Sequence, residues 1–182
     1  MKTSLPATIT NPIIGDQVTF LETAASTDGQ YCLLKVVLAP GGGNGLHFHT
    51  DFTEEFEVLK GTLGLKSNKR TYLLKEGDTA LVQRREVHHF YNYSNAEPVI
   101  FLTRIVPALD FESMLRIAYG LANEGKTNKK GMPGLLPLAV MFIKGGSYLP
   151  GIPLVVQKSF FGFLAYMAKI TGHARRLERY YK

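Results

Sequence analysis

From residue 31 to residue 107, apolar and polar side chains alternate in short runs, the period of strands with one buried face. Residues 31–39, 54–59, 71–74, 79–83 and 99–106 are rich in Val, Leu, Phe, Tyr and Thr, and turn residues separate them. A shorter β-like piece, residues 17–22, lies upstream among breaks at Pro6, Pro12, Gly15 and Gly29. Strand length and turn spacing fit a barrel or sandwich. After Pro107 the period lengthens. Phe111, Met114, Leu115, Ala118, Leu121 and Ala122 recur at helical spacing behind Asp110, an N-cap residue type, and Gly125 ends the run. A polar loop at 126–130 leads to an apolar run ending at Ile143, and Gly145, Gly146, Pro150 and Pro153 break the chain again. A last helix is expected from 153 to 171, ending near Gly172, ahead of a basic tail at 175–179. The division is a β domain over 1–106 and an α-helical extension over 107–182, packed on the barrel or on a dimer partner.

Alternation assigns faces within the strands. If Glu54 points inward, Phe56 and Val58 do too, while Glu55 and Glu57 point out. If His88 points inward, so does Phe90, leaving His89 and Tyr91 outside. Each inward set joins one polar chelating group to apolar residues, the pattern of a metal at the floor of an apolar pocket.

The chelating groups themselves are closely spaced. His47 and His49 are two residues apart, so one strand aims both imidazoles at one point. If the chain turns at Asp51 and Phe52, Glu54 opens the next strand and reaches the same point, and His88 follows in a later strand. Three nitrogens and a carboxylate oxygen suit a divalent transition metal; iron, manganese, nickel and zinc all accept that set. A lone buried histidine is more often a hydrogen-bonded core residue, and His-x-His pairs also occur on exposed strands. Convergence of all four groups is what favours a metal.

The same residues resemble the two motifs of the cupin superfamily. Gly41, His47-x-His49, Glu54 and Gly61 follow the spacing of the first motif, and Gly77, His88 and Asn92 that of the second. Gln83 stands where the family usually has proline and Arg85 where it has glycine, which bears on a turn rather than on the ligands. The resemblance covers about residues 30–106, and a barrel followed by a helical tail is also similar to a group of small bacterial cupins. It implies a mainly β, double-stranded β-helix (jelly-roll) barrel holding a metal on His47, His49, Glu54 and His88. It implies no single reaction, since cupins include dioxygenases, isomerases, decarboxylases, storage proteins and sensors. The favoured expectation, resting on the resemblance, is a dioxygenase-like oxidoreductase acting on a small organic molecule, ahead of an isomerase. The alternative is a non-catalytic metal or small-molecule binding or sensing module whose helices dimerise. No general base is named by spacing. Asn92 is a second-sphere or a turn residue.

Composition narrows the setting. A chain of 182 residues with 45% hydrophobic and 20% charged residues describes a globular protein of one domain plus an appendage. The single cysteine, Cys32, forms no internal disulfide and reads as packing, and the first six residues show no apolar signal segment, so a cytoplasmic setting is expected. The net charge of +6 is one-sided. Residues 1–106 hold 10 Lys or Arg against 11 Asp or Glu, whereas 107–182 hold 11 against 4. The excess reads as a solvated face, without a nucleic-acid motif. The apolar run 154–170 contains Lys158 and Lys169 and is too short to span a bilayer. A homodimer is expected, and peripheral membrane contact through Phe160, Phe161 and Phe163 is the lesser reading.

Overall fold

The computed structural model describes residues 7–182; Met1 to Pro6, read above for a signal segment and a break at Pro6, lie outside the described residues. Ten strands come first: β1 (Thr8–Asn11), β2 (Asp16–Glu22), β3 (Cys32–Leu38), β4 (Phe48–His49), β5 (Thr53–Lys60), β6 (Thr62–Ser67), β7 (Arg70–Lys75), β8 (Thr79–Val82), β9 (His88–Asn92) and β10 (Val99–Val106). The C-terminal segment adds α1 (Phe111–Asn123), α2 (Leu135–Gly145), β11 (Ser147–Tyr148), α3 (Leu154–Ile170) and α4 (His173–Leu177), then a 3-10 turn over Glu178–Tyr180.

A six-stranded sheet in the order β1-β2-β3-β10-β5-β8 faces a three-stranded sheet, β7-β6-β9, with every pairing antiparallel. The chain is mainly β and adopts the expected jelly roll. Its two sheets do not close through continuous ladders. Instead, isolated bridges from Gly43 to Tyr91 and from His47 to His88 tie the segment before β4 to the smaller sheet.

Side-chain alternation explains the core. Cys32, Leu34, Val36 and Leu38 of β3 all point inward. Phe56 and Val58 of β5 sit opposite Thr103 and Phe101 of β10. Phe101, Leu63 of β6 and Leu34 are fully buried in one continuous cluster that spans both sheets. Truncating a buried phenylalanine of this kind to alanine costs about 3–5 kcal/mol, so this cluster dominates local stability.

Helix α1 joins the sheets to the helical segment. Phe111 and Tyr119 enter the β core, while Ile117 and Leu121 pack with Val140, Ala168 and Leu177 of the other helices. The expected α1 boundaries are close to those observed, and Gly125 follows the helix with φ +67°. Asp110 occupies the N-cap position without a side-chain capping bond. Its carboxylate instead pairs with Lys144 of α2 at 3.2 Å. No strand is expected from the sequence at β6, and β1 and β11 are too short to show an alternating period. The strand expected to carry both His47 and His49 is shorter than expected, with β4 limited to Phe48–His49 and His47 held in an isolated bridge to His88.

Cys32 is 1% exposed. Burial, reinforced by the negative charge of Glu112, pushes its thiol up to about 12. A thiolate is needed for attack on electrophiles. Native protein should therefore leave a maleimide or aromatic disulfide reagent unreacted, with one equivalent consumed on denaturation. Fast stoichiometric labelling of the native protein would contradict this burial.

Candidate metal centre

The local sequence places each polar group. After the glycine-rich turn, Gly43 passes so close to β9 that a Cβ there would stand 2.7 Å from the Phe90 carbonyl oxygen. That approach lets His47 exchange backbone hydrogen bonds with His88, N to O at 3.0 Å and 2.8 Å. His49 follows two residues later on β4. Glu54 lies at the start of β5, paired in register with Ile105 of β10 and Val82 of β8. His88 opens β9.

All four side chains meet. One ligand-type atom from each of His47, His49, Glu54 and His88 lies within 4.8 Å of the others. The three imidazole centroids are 4.4–4.8 Å apart. His49 Nε2 stands 3.1 Å from Glu54 Oε2 and 3.2 Å from His88 Nε2, and His88 Nε2 is 3.2 Å from the same Oε2. His49, Glu54 and His88 are 1%, 4% and 0% exposed, and His47 is partly exposed. Aromatic rings form the wall: Phe52 packs on His49 at 4.0 Å, and Phe56, Phe90 and Phe101 contact one another nearby.

The outer hydrogen bonds decide which way each ring nitrogen faces. His47 Nδ1 donates to the Gly45 carbonyl at 2.8 Å, and His88 Nδ1 donates to the Glu86 carbonyl at 2.9 Å. A carbonyl oxygen only accepts, so Nδ1 carries the hydrogen and Nε2 of the neutral ring presents a lone pair. His49 Nδ1 lies 3.3 Å from Ser147 Oγ, whose own hydrogen goes to the Gly145 carbonyl at 3.1 Å. The serine oxygen is thereby left to accept from His49. Thr103 donates its hydroxyl to Glu54 Oε1 at 3.1 Å, leaving Oε2 toward the cluster.

Lone pairs therefore converge on one small volume. Ligands at about 2.1 Å from a shared ion, in neighbouring octahedral positions, are about 3.0 Å apart. The three 3.1–3.2 Å separations match that spacing, so the donor set fits a divalent transition ion. Titration reflects the same crowding. Burial, then the neighbouring His88 and His49 charges, lower His47 to about 4. Burial pushes Glu54 up, but hydrogen bonds and charge from His49 and His88 outweigh it and hold the carboxyl well below the usual range. Burial lowers His88, and the Glu54 carboxylate more than offsets that, leaving the imidazole raised.

Sequence reasoning located the four residues that converge, and it assigned Glu54, Phe56 and Val58 inward and Glu55 and Glu57 outward, as observed. It did not locate Thr103 or Ser147. Thr103 was legible, as the one hydroxyl among the inward positions 101, 103 and 105 of β10. Ser147 had no such signal. It arrives because Gly146, at φ +56°, turns the chain out of α2 straight into β11, which pairs with β4 through Ser147 and His49. Asn92 serves structure: its amide donates to the Leu38 and Glu97 carbonyls and its oxygen accepts from Ser94 N. A groove of about 690 Å³ lies elsewhere, on the outer face of the six-stranded sheet beside Glu55, Glu57, Leu102 and Arg104. It does not hold the four converging side chains, so volume alone does not mark the site.

Residues 34–104 match the family model described as the cupin domain. This stretch of the chain is similar to the cupin domain. The matched stretch contains all four converging side chains and leaves the helices outside it. Among solved structures, a predicted oxalate decarboxylase from Thermotoga maritima is 22% identical, over 50% of this chain and 80% of its own, with a TM-score of 0.48. A sugar phosphate isomerase from a cupin superfamily, from Silicibacter pomeroyi, is 21% identical over 57% of this chain and 75% of its own, at 0.48. An RmlC-like cupin from Shewanella frigidimarina is 17% identical over 55% and 83%, also at 0.48. No curated protein matches. Likeness this distant carries nothing about chemistry.

The cupin turn that departs from the family pattern is held differently here. Gln83 N donates to Glu86 Oε2 at 2.8 Å, a bond that proline would forfeit. Arg85 takes φ +65° and donates its backbone N–H to the His49 carbonyl at 2.6 Å. A side chain in this left-handed region costs about 1–2 kcal/mol, against about 0.5–1 kcal/mol for the extra chain entropy of glycine. Arg85→Gly should therefore raise stability by about 0.5–1 kcal/mol in urea unfolding. A clear loss would show that the arginine side chain holds the turn.

Proposed function

We propose that this chain holds one divalent transition metal on His47, His49, Glu54 and His88 and acts on a small organic molecule, as a dioxygenase-like oxidoreductase. The observation that carries this reading is the set of inward-facing Nε2 and Oε2 atoms whose other ring nitrogens and carboxylate oxygen are already bound by Gly45, Ser147, Glu86 and Thr103. Four protein ligands leave one or two positions on a five- or six-coordinate ion for a substrate. When bound, the metal supplies Lewis-acid polarisation and, if redox-active, electron transfer with dioxygen.

This chain's residues contribute position and exclusion of water. Phe52, Phe56, Phe90 and Phe101 keep the surroundings apolar, which strengthens charge interactions at the centre. His47, the partly exposed member, marks the side that faces solvent. The groups around the ligands are two hydroxyls and two carbonyls, which orient side chains and do not take up protons near neutral pH. The preference for redox chemistry over isomerisation rests on the resemblance of the two motifs to the cupin family.

Elemental analysis of purified protein, with reconstitution, tests the centre. Near-stoichiometric iron, manganese, nickel or zinc is expected, and the His47→Ala/His49→Ala variant should lose it. Failure of the unaltered protein to take up any of these ions would end the metal reading. Oxygen uptake with small hydroxy and keto acids then separates an oxidase or dioxygenase from a binding module, which would hold metal and ligand without turnover. Ser147→Ala should weaken metal affinity by about 10- to 100-fold while leaving the fold intact, as loss of an orienting hydrogen bond does. Unchanged affinity in a competition titration would show that β4 alone fixes the His49 ring.

A further inference from the structure

We propose that the outward face of α3 is a docking surface for an anionic lipid bilayer, with the helix lying flat in the headgroup region. On this helix, Gln157, Phe161 and Ala168 are buried. Gln157 bonds the Leu149 amide and carbonyl and the Ile152 carbonyl, and Phe161 stacks on Phe142 at 4.1 Å. That inner face anchors α3 to the protein. The opposite side carries Val155, Val156, Phe160, Phe163, Tyr166 and Ile170, each exposed, with Val155 at 71% and Phe163 at 62%. At about 100° per residue these six span an arc of roughly 140° that contains no charge. A helix packed on its own domain normally has a polar outer face, and a contiguous apolar face of this kind marks an interaction surface.

Charge selects the occupant. Lys158 and Lys169 lie on the same flank of the apolar arc, about three helical turns apart, and both are exposed. Between Glu124 and Glu178 the chain holds eight Lys or Arg and not one Asp or Glu. A second copy of α3 laid on this face would set like charges against each other with no acidic side chain in the segment to answer them. Lys126 and Lys144 are paired with Glu124 and Asp110, and anionic lipid headgroups answer Lys158 and Lys169 beside the apolar face. Apolar side chains then reach about 5–10 Å into the boundary with the acyl chains while flanking lysines stay at headgroup level. Tyr166 suits this depth, with an apolar ring and a polar tip. Among the described residues no helix is long and apolar enough to cross a membrane, in keeping with a helix that lies on one.

The test is co-sedimentation of the full-length protein with vesicles of phosphatidylcholine alone or mixed with phosphatidylglycerol. Binding is expected to the mixed vesicles and to weaken as salt rises. Lys158→Glu/Lys169→Glu should lower the partition coefficient by about thirtyfold or more. Phe163→Ser/Tyr166→Ser should lower it by about tenfold or more. Circular dichroism and metal content should be unchanged in both variants, because these side chains lie outside the metal centre and the core. Absence of binding at low salt, or equal binding to neutral and anionic vesicles, would overturn the proposal. So would a dimer in light scattering that Phe163→Glu dissociates, because a second copy would then be what covers the face.

Discussion

Three imidazole nitrogens and a carboxylate oxygen, each presenting a lone pair to the same buried volume, repel one another until something positive enters. Much of the local structure serves to hold that arrangement in place. The Nδ1 hydrogens are spent on fixed acceptors, so the rings cannot relieve the crowding by turning their donors inward. Without a metal, the relief left to the protein is a proton. The raised His88 and depressed Glu54 are the mark of that exchange. A His/Glu cluster built this way is able to hold a cation.

Supporting groups come from far along the chain, and each depends on a backbone feature rather than on a recognisable motif. Gly43 permits the close passage of the loop against β9, and Glu86 fastens the turn that supplies a carbonyl to His88. Ser67 and the Gln83 amide both bond the Glu86 carboxylate, so this turn is tied to β6 as well. The sheet that holds His88 and the strand that holds His49 are thereby kept in step through the Arg85 amide.

The strand framework and the four converging side chains were legible because both are periodic. Inward and outward residues follow a spacing of two, and Phe56, Val58 and Glu54 obey it. The fold that the motifs suggested is the one observed. What stayed hidden lacked a period. Strand β6 contains Gly64 between two buried leucines, directly after the Gly61 turn, so its alternation is masked. β11 is two residues, below the length at which alternation says anything. Asp110 has the chemistry of a cap, yet a lysine on another helix claims its carboxylate, and tertiary competition of that kind leaves no trace in local sequence.

The pairing of Ser147 with His49 spans 98 positions of the chain. Its consequence is one of timing. During synthesis the strands and all four converging side chains leave the ribosome well before β11 exists, so the barrel can form around a His49 ring whose Nδ1 does not yet have its Ser147 partner. The centre reaches its final shape only when the last third of the polypeptide folds back onto β4. The helical segment thus acts as the closing step of assembly, and a truncated chain would keep every chelating residue while lacking the latch that aims one of them.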